Sequence, residues 1–412
     1  MAEHSESIDL GVVHDWIAPF GGAEKQLVQL ANLQPDVDVY TVFDFRGENH
    51  EVDLGEARLT VSKLNSLPGI SSYYRALILL AARAVESFDL SAHDVVFSIS
   101  SAVSKGVITH AEQSHIAYIN SPPRYAWDLH AEYLDLISGP LAGVKRAIAH
   151  EIFHRFRRWD MRTPNGVDLF LSNSKFVAER VWKTYRRRSH VLYPPVDTSG
   201  YQLNTGPRED YYVCASRMVP YKRMDLIAEA FSHMPDRKLL VIGDGPEMGK
   251  IKQAAGPNVE ILGRQSLEKM REYFASARAL IFAGKEDFGI VPVEAQASGT
   301  PVIAFGEGGA AETVRGQRNS PNATGVFFDE QSVSSLVEAI EYFEAHQDSF
   351  EPTNCRENAL RFSNSRFREE VKFLVSAAAS SGFREEDVLD CDLPEFWHGA
   401  EDNLAAKTSS PS

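Results

Sequence analysis

The feature that most constrains this chain is an alternation of two kinds of text. Short, wholly apolar runs recur (DLGVV at 9–13, DVYTVF at 38–43, DVVFSI at 94–99, HIAYI at 115–119, VDLFLS at 167–172), separated by longer stretches with helical spacing. A strand covered on both faces reads as a continuous apolar run, and such strands belong to parallel sheets flanked by helices. A second series of the same kind begins near 211. Between the two lies YPPVDTSGYQLNTGPRED, 193–210, where the period breaks and Pro, Gly and polar residues gather. At 412 residues the chain also exceeds what one core ordinarily serves. The expected fold class is therefore α/β, with two Rossmann-like domains facing across a cleft and a ligand at the carboxyl ends of the strands. The expected boundaries are an N-terminal domain over 1–197, a linker over 198–210 and a C-terminal domain over 211–362. A helix over 363–381 is expected to return to the N-domain, ahead of an acidic tail over 382–412.

Composition narrows the classes further. A net charge of −15 disfavours a nucleic-acid binder, which would show a basic surface. From Arg384 onward eight acids face two bases, so the tail holds −6 of that charge. Cys214, Cys355 and Cys391 are odd in number and widely spaced, which fits a reducing cytoplasm better than a disulfide framework. The N-terminal residues do not follow the order of a signal peptide, and no apolar run is long enough to span a bilayer.

Between Leu129 and Thr163 the text is helical and turns basic, with Val144, Ile148, Ile152, Phe153 and Phe156 at helical spacing and cations such as Lys145, Arg146 and Arg155 interleaved. Such a helix can lie on an anionic membrane through 144–162, or pack its apolar stripe on its own domain. The sequence leaves both open, and the localisation expected is cytoplasmic, with or without peripheral contact at the membrane face.

The chemistry concentrates in GKEDFGIVPVEAQASGTPVIAFGEGGAAETV, from Gly284 to Val314. A strand at 279–283 runs into a loop holding Gly284 and Gly289, and Pro292 is placed at the first position of the helix that follows. The amides of Phe288, Gly289, Ile290 and Val291 would then lie at a helix N-terminus, where unpaired N–H groups and the helix dipole favour a diphosphate. Glu294 falls in the first turn, within reach of a ribose, and Glu286 faces the other end of a nucleotide sugar. Upstream, in ASRMVPYKR, Arg217 and Lys222 stand at the carboxyl end of a strand, where two cations can hold one diphosphate. Gly21 and Gly22, in GGAEK, allow backbone of the N-domain to approach the same ligand.

The stretch EDFGIVPVEAQASGTPVIA resembles the glutamate, seven residues, glutamate signature of retaining glycosyltransferases of family 4, whose fold is GT-B, and the likeness runs from GGAEK to the FSNSRF helix. It implies that Glu286 contacts the transferred sugar, Glu294 the ribose, and Arg217 and Lys222 the phosphates. It further implies that the Gly21–Gly22 turn closes over the donor, and that catalysis rests on Arg217, Lys222 and Glu286. HIAYINSPPRYAWDLH resembles the segment of bacterial family 4 mannosyltransferases that carries a histidine where this chain has Asn120. Asn120, Arg124, Tyr125, Trp127 and Asp128 are the acceptor-side candidates, although an asparagine cannot take up a proton near neutral pH. The Asp-x-Asp pairs at Asp36/Asp38 and Asp390/Asp392 are read as fortuitous, so no metal and no cofactor is expected. The resemblance implies GDP-mannose as the donor and a glycan or lipid-linked alcohol as the acceptor. An epimerase on the same architecture, or a non-catalytic nucleotide-sugar binder suggested by Asn120, are the competing readings.

Overall fold

A computed structural model describes residues 8–18, 21–47, 52–135, 137–316, 322–380 and 383; the acidic tail beyond 383, with Asp390/Asp392, lies outside them. The alternation in the sequence becomes two separate sheets, each wholly parallel. The first contains β1 (Leu10–Ile17), β2 (Asp38–Asp44), β3 (Arg58–Val61), β4 (Val95–Ser100), β5 (Ser114–Ile119), β6 (Leu169–Ser172) and β7 (His190–Val191), in the order β3-β2-β1-β4-β5-β6-β7. The second contains β8 (Tyr212–Ala215), β9 (Leu239–Ile242), β10 (Val259–Gly263), β11 (Leu280–Phe282), β12 (Val302–Phe305) and β13 (Gly325–Phe328), in the order β10-β9-β8-β11-β12-β13. Strands β4, β6, β8, β9, β11 and β12 are buried at every position, because helices cover both faces.

Each sheet reverses its winding once, beside β1 in the first and beside β8 in the second. At such a switch point the loops leave the strand ends in opposite directions and open a crevice. The loops after β1, β4, β8 and β11 therefore make the walls of the site.

Several elements differ from the sequence reading. The helix expected across 129–163 is broken into His130–Asp135 and Ala142–Asp160, since Gly139 (φ 86°) and Leu141 (φ 62°) take left-handed backbone around Pro140. Helix Ile290–Ala297 starts earlier than expected, so Pro292 is its third residue and not its first. A proline is tolerated there because the amides of the first turn have no intrahelical acceptor in any case. Edge strands β3 and β7 went unread; β3 alternates exposed and half-buried residues, and β7 has only two.

Helix Asn364–Ala378 packs Phe367, Val371 and Leu374 into the N-terminal core. The chain thus crosses between domains twice, and the two crossings touch: the Val196 amide donates to the Phe362 carbonyl at 2.8 Å, and an Arg366 Nη2 donates to the Tyr193 carbonyl at 2.8 Å. Segment 198–208 is fastened to the C-domain, with Arg356 donating to the carbonyls of Thr198, Tyr201 and Ala297 and Arg208 to those of Ala275, Ala277 and Gly299. Among the described residues no helix is long and apolar enough to cross a membrane.

Candidate functional site

The C-terminal wall begins where β11 ends. Gly289 caps helix Ile290–Ala297 in the left-handed region, at φ 89°, a conformation that a side chain would oppose. The turn leaves the amides of Phe288 to Val291 without an acceptor among the described residues, and Ile290 and Val291 head a helix whose dipole favours negative charge. The Phe288 ring is buried against Tyr193 and Phe362, fixing the loop from behind. Lys222, at the end of the short turn Pro220–Lys222, forms an ion pair with Glu286. Arg217 is exposed and has no ion-pair partner among the described residues. Its charge nonetheless reaches Tyr74 of the N-domain and Tyr221: burial raises both phenols above their ordinary value, and Arg217 pulls weakly the other way. Arg223 turns away, toward Gln331 and Asp225.

The N-terminal wall is the start of helix Gly22–Ala31, with Gly21 as its extended cap. A Cβ at Gly22 would come within 2.9 Å of Ile290 Cδ1, so the two helix starts, one from each domain, meet across the cleft at a position that lacks a side chain. Lys25 Nζ donates to Glu294 Oε1 at 2.9 Å, again from one domain to the other. Glu294 therefore holds a lysine in this structure.

Two N-domain groups escaped the sequence reading. Asp15, buried at the end of β1, accepts from the amides of Ser101, Ala102, Val103 and Ser104 at 2.6–2.8 Å and so fixes the loop after β4. Glu24, buried in the first turn after Gly22, accepts from the Ala18 amide at 2.9 Å and lies 3.9 Å from His14 Nε2. Burial raises its carboxyl, but His14 and the amides outweigh that and leave it below its ordinary 4.5. A carboxylate so depressed contributes stability that is complete above its unfolded value and lost as pH falls through the folded one. Glu24→Gln should accordingly melt below the wild type at neutral pH, with a constant gap above 4.5 that closes in more acidic buffer. Thermal melts followed by circular dichroism over about pH 3–8 check this; a gap that widens on acidification would contradict it. The only signal for Glu24 was its place inside GGAEK.

The acceptor-side candidates separate. The side-chain amide of Asn120 pairs reciprocally with that of Gln26 (2.7 and 2.9 Å), and Asn173 donates to the Asn120 backbone carbonyl at 3.0 Å. Tyr125 and Trp127, expected to line the acceptor side, instead hold helix Ala142–Asp160 in place. Tyr125 packs on Tyr133, Phe153 and Phe156, and Trp127 Nε1 donates to Asp160 Oδ2 at 2.8 Å, where Asp160 also receives the buried Lys105 and the Tyr185 hydroxyl. Their aromatic surface has more to gain in that layer than in a wet cleft.

Arg124 faces the cleft and forms an ion pair with Asp287, which also accepts from Arg180 at 2.8 Å; Arg180 in turn holds Asp128 at 2.6 Å. Asp287, next to Glu286 in sequence, is a further site residue that the sequence reading does not name. A last contact fastens the domains near the crossings: Glu312 of the C-domain accepts from the amides of Lys175 and Phe176, at the start of helix Lys175–Tyr185, at 2.7 and 3.0 Å, and from the Tyr193 hydroxyl at 3.1 Å. Burial raises the Glu312 carboxyl above its ordinary value, against the pull of those donors.

Residues 201–362 match the family described as Glycosyl transferases group 1. The GDP-mannose-dependent alpha-(1-6)-phosphatidylinositol monomannoside mannosyltransferase of Mycobacterium tuberculosis is 27% identical over 239 residues, 48% of this chain and 60% of that protein. The GDP-mannose-dependent monoacylated alpha-(1-6)-phosphatidylinositol monomannoside mannosyltransferase of Corynebacterium glutamicum is 34% identical over 142 residues, 31% of this chain and 36% of that protein. The chain thus spans no more than 60% of either relative's length. Among solved structures, HepE of Anabaena in complex with UDP and glucose superposes with a TM-score of 0.62 at 14% identity, covering 90% of this chain and 100% of that one. A glycosyltransferase from Rickettsia africae gives 0.62 at 15%, covering 92% and 100%. The chain has the GT-B fold, and its C-terminal domain is the part that matches the group 1 glycosyltransferases.

Proposed function

We propose that the protein is a retaining, metal-independent glycosyltransferase of family 4 that moves a hexose, mannose carried by GDP, to a hydroxyl of a glycan or lipid-linked acceptor. One observation carries this reading: two helix N-termini, at Gly22 and Ile290, meet across the switch-point crevice beside Lys222 and Arg217. That pocket suits a diphosphate. As the glycosidic bond breaks, charge builds on the leaving phosphate, and fixed amides and cations stabilise it more than they stabilise the bound donor. Glu286, held by Lys222, accepts from a sugar hydroxyl, and Glu294 accepts from the ribose.

The wall carboxylates are all engaged: Glu286 by Lys222, Asp287 by Arg124 and Arg180, Glu294 by Lys25, Glu24 by the Ala18 amide and His14, and Asp15 by the amides of Ser101 to Ser104. None is placed as a free nucleophile. The acceptor hydroxyl therefore attacks from the leaving-group face and passes its proton to the departing phosphate, through an oxocarbenium-like transition state. Mass spectrometry of the protein trapped with a slow donor should show no glycosyl adduct; an adduct on Glu286 would replace this mechanism with a double displacement.

The GDP-mannose dependence of the mycobacterial and corynebacterial relatives supports this choice of donor. A UDP-sugar is the second reading, favoured by the UDP and glucose bound to HepE. Incubating the protein with a panel of nucleotide sugars, without acceptor, separates the two. Slow release of GDP from GDP-mannose is expected, unaffected by EDTA and abolished in Glu286→Ala. Preferential release of UDP would transfer the assignment to the uridine series, and an epimerised donor would end the transferase reading.

A further inference from the structure

The surface of the N-domain carries a feature that the cleft does not use. Helix Ala142–Asp160 packs only its C-terminal half, burying Phe156 and Asp160, while its first turns stand out from the domain. Leu141, Val144 and Ile148, at spacings of three and four, are 72%, 55% and 55% exposed. They form one stripe, which continues over an apolar recess shared with Leu79 of helix Ile78–Val85, whose Leu80 is exposed as well. Soluble surfaces seldom leave aliphatic side chains aligned in this way.

The charge around the stripe is equally uneven. Residues 57–85 contain no acid, and Lys63, Arg75 and Arg83 are exposed there; residues 137–150 also contain none, with Lys145 and Arg146 exposed. In a chain of net charge −15, a face where these five cations outweigh the recess's Glu151, itself paired with Arg155, around exposed leucine, valine and isoleucine is complementary to one kind of surface. We infer that this face, formed by helix Ala142–Asp160 and segment 63–83, docks on a bilayer containing anionic phospholipid. The apolar stripe enters the acyl boundary while the cations meet the headgroups. The same segment leads to the cleft: Tyr74 packs on Trp16 at the end of β1, with ring centroids 5.4 Å apart. A docked protein would therefore hold its crevice close to the lipid surface.

The test uses the full chain and vesicles of phosphatidylcholine, alone or with phosphatidylglycerol, in flotation without nucleotide sugar. Binding is thus read separately from any transferase activity. Binding to the anionic vesicles only is expected, weakening as salt is raised above ~0.15 M. Val144→Glu/Ile148→Glu and Lys145→Glu/Arg146→Glu should each weaken it by about tenfold or more, since each basic residue near an anionic surface is worth about fivefold in partitioning. Lys250→Glu/Lys252→Glu, the same charge change in the other domain, should leave it unchanged. All these positions are exposed, so melting temperatures should match the wild type and loss of fold is excluded as a cause. Equal binding to neutral vesicles, or variants that bind as the wild type does, would overturn the inference. Vesicle binding that is absent while Ile148→Glu dissociates a dimer would assign the face to a second copy of the chain instead.

Discussion

Lys222→Ala should lower the turnover of the preferred donor by about two to three orders of magnitude, roughly 3–4 kcal/mol of barrier, while the protein stays folded. Two losses combine in that number. The leaving phosphate forfeits a fixed cation, and Glu286 forfeits the ion-pair partner that balances its charge. An unpaired carboxylate beside a departing diphosphate raises the barrier again through like-charge repulsion. The pair must therefore behave non-additively: Lys222→Ala/Glu286→Gln should be less impaired than the product of the single effects, because the double variant leaves no orphaned charge. Initial rates on all three variants, with calorimetric donor affinity to separate binding from chemistry, give the coupling directly. Strict additivity would mean that Lys222 and Glu286 act on different parts of the donor without communicating.

The second large effect concerns Gly22. A methyl group at this position meets only the tip of the Ile290 side chain, 2.9 Å from an ideal Cβ, which can swing aside. Gly22→Ala should therefore cost little. A branched side chain has no such escape and must push the two helix starts apart. A displacement of about 1 Å in a positioned site costs about a hundredfold in rate, and Gly22→Val is expected to lose about that much in kcat/KM. In the proposed site Ile290 contributes its amide and not its side chain, so Ile290→Ala should be nearly silent alone and should restore much of the activity to Gly22→Val. Failure of that rescue would place the defect in the Gly21–Gly22 turn and not in the approach of the domains.

The fold was legible because its strands are covered on both faces and cannot be mistaken for solvent-facing text. The C-terminal loop was legible too, since Gly289 and the glutamates around it lie within one short stretch. What escaped depends on contacts far apart in sequence. Asn120 and Gln26 lie 94 residues apart, and nothing in either neighbourhood indicates that their amides pair with one another. Tyr125 and Trp127 illustrate a second limit: an aromatic beside a basic segment serves equally well to hold a sugar or to anchor a helix, and only the position of Asp160 decides. The break at Gly139 was visible as a Ser-Gly-Pro run but was overridden by the amphipathic period on its far side.

The chain passes between its halves at two places that lie side by side, where Val196 meets Phe362. Two parallel tethers on one line act as the spine of a book, leaving the halves one principal direction in which to part. Loading the proposed donor and releasing its nucleotide must then be opposite strokes of a single swing. The bonds from Lys25 to Glu294 and from Arg124 to Asp287 join the two halves, and such a swing would have to break and remake them. An opening about that spine would bring Gly22 and Ile290 back into register whenever the book closes.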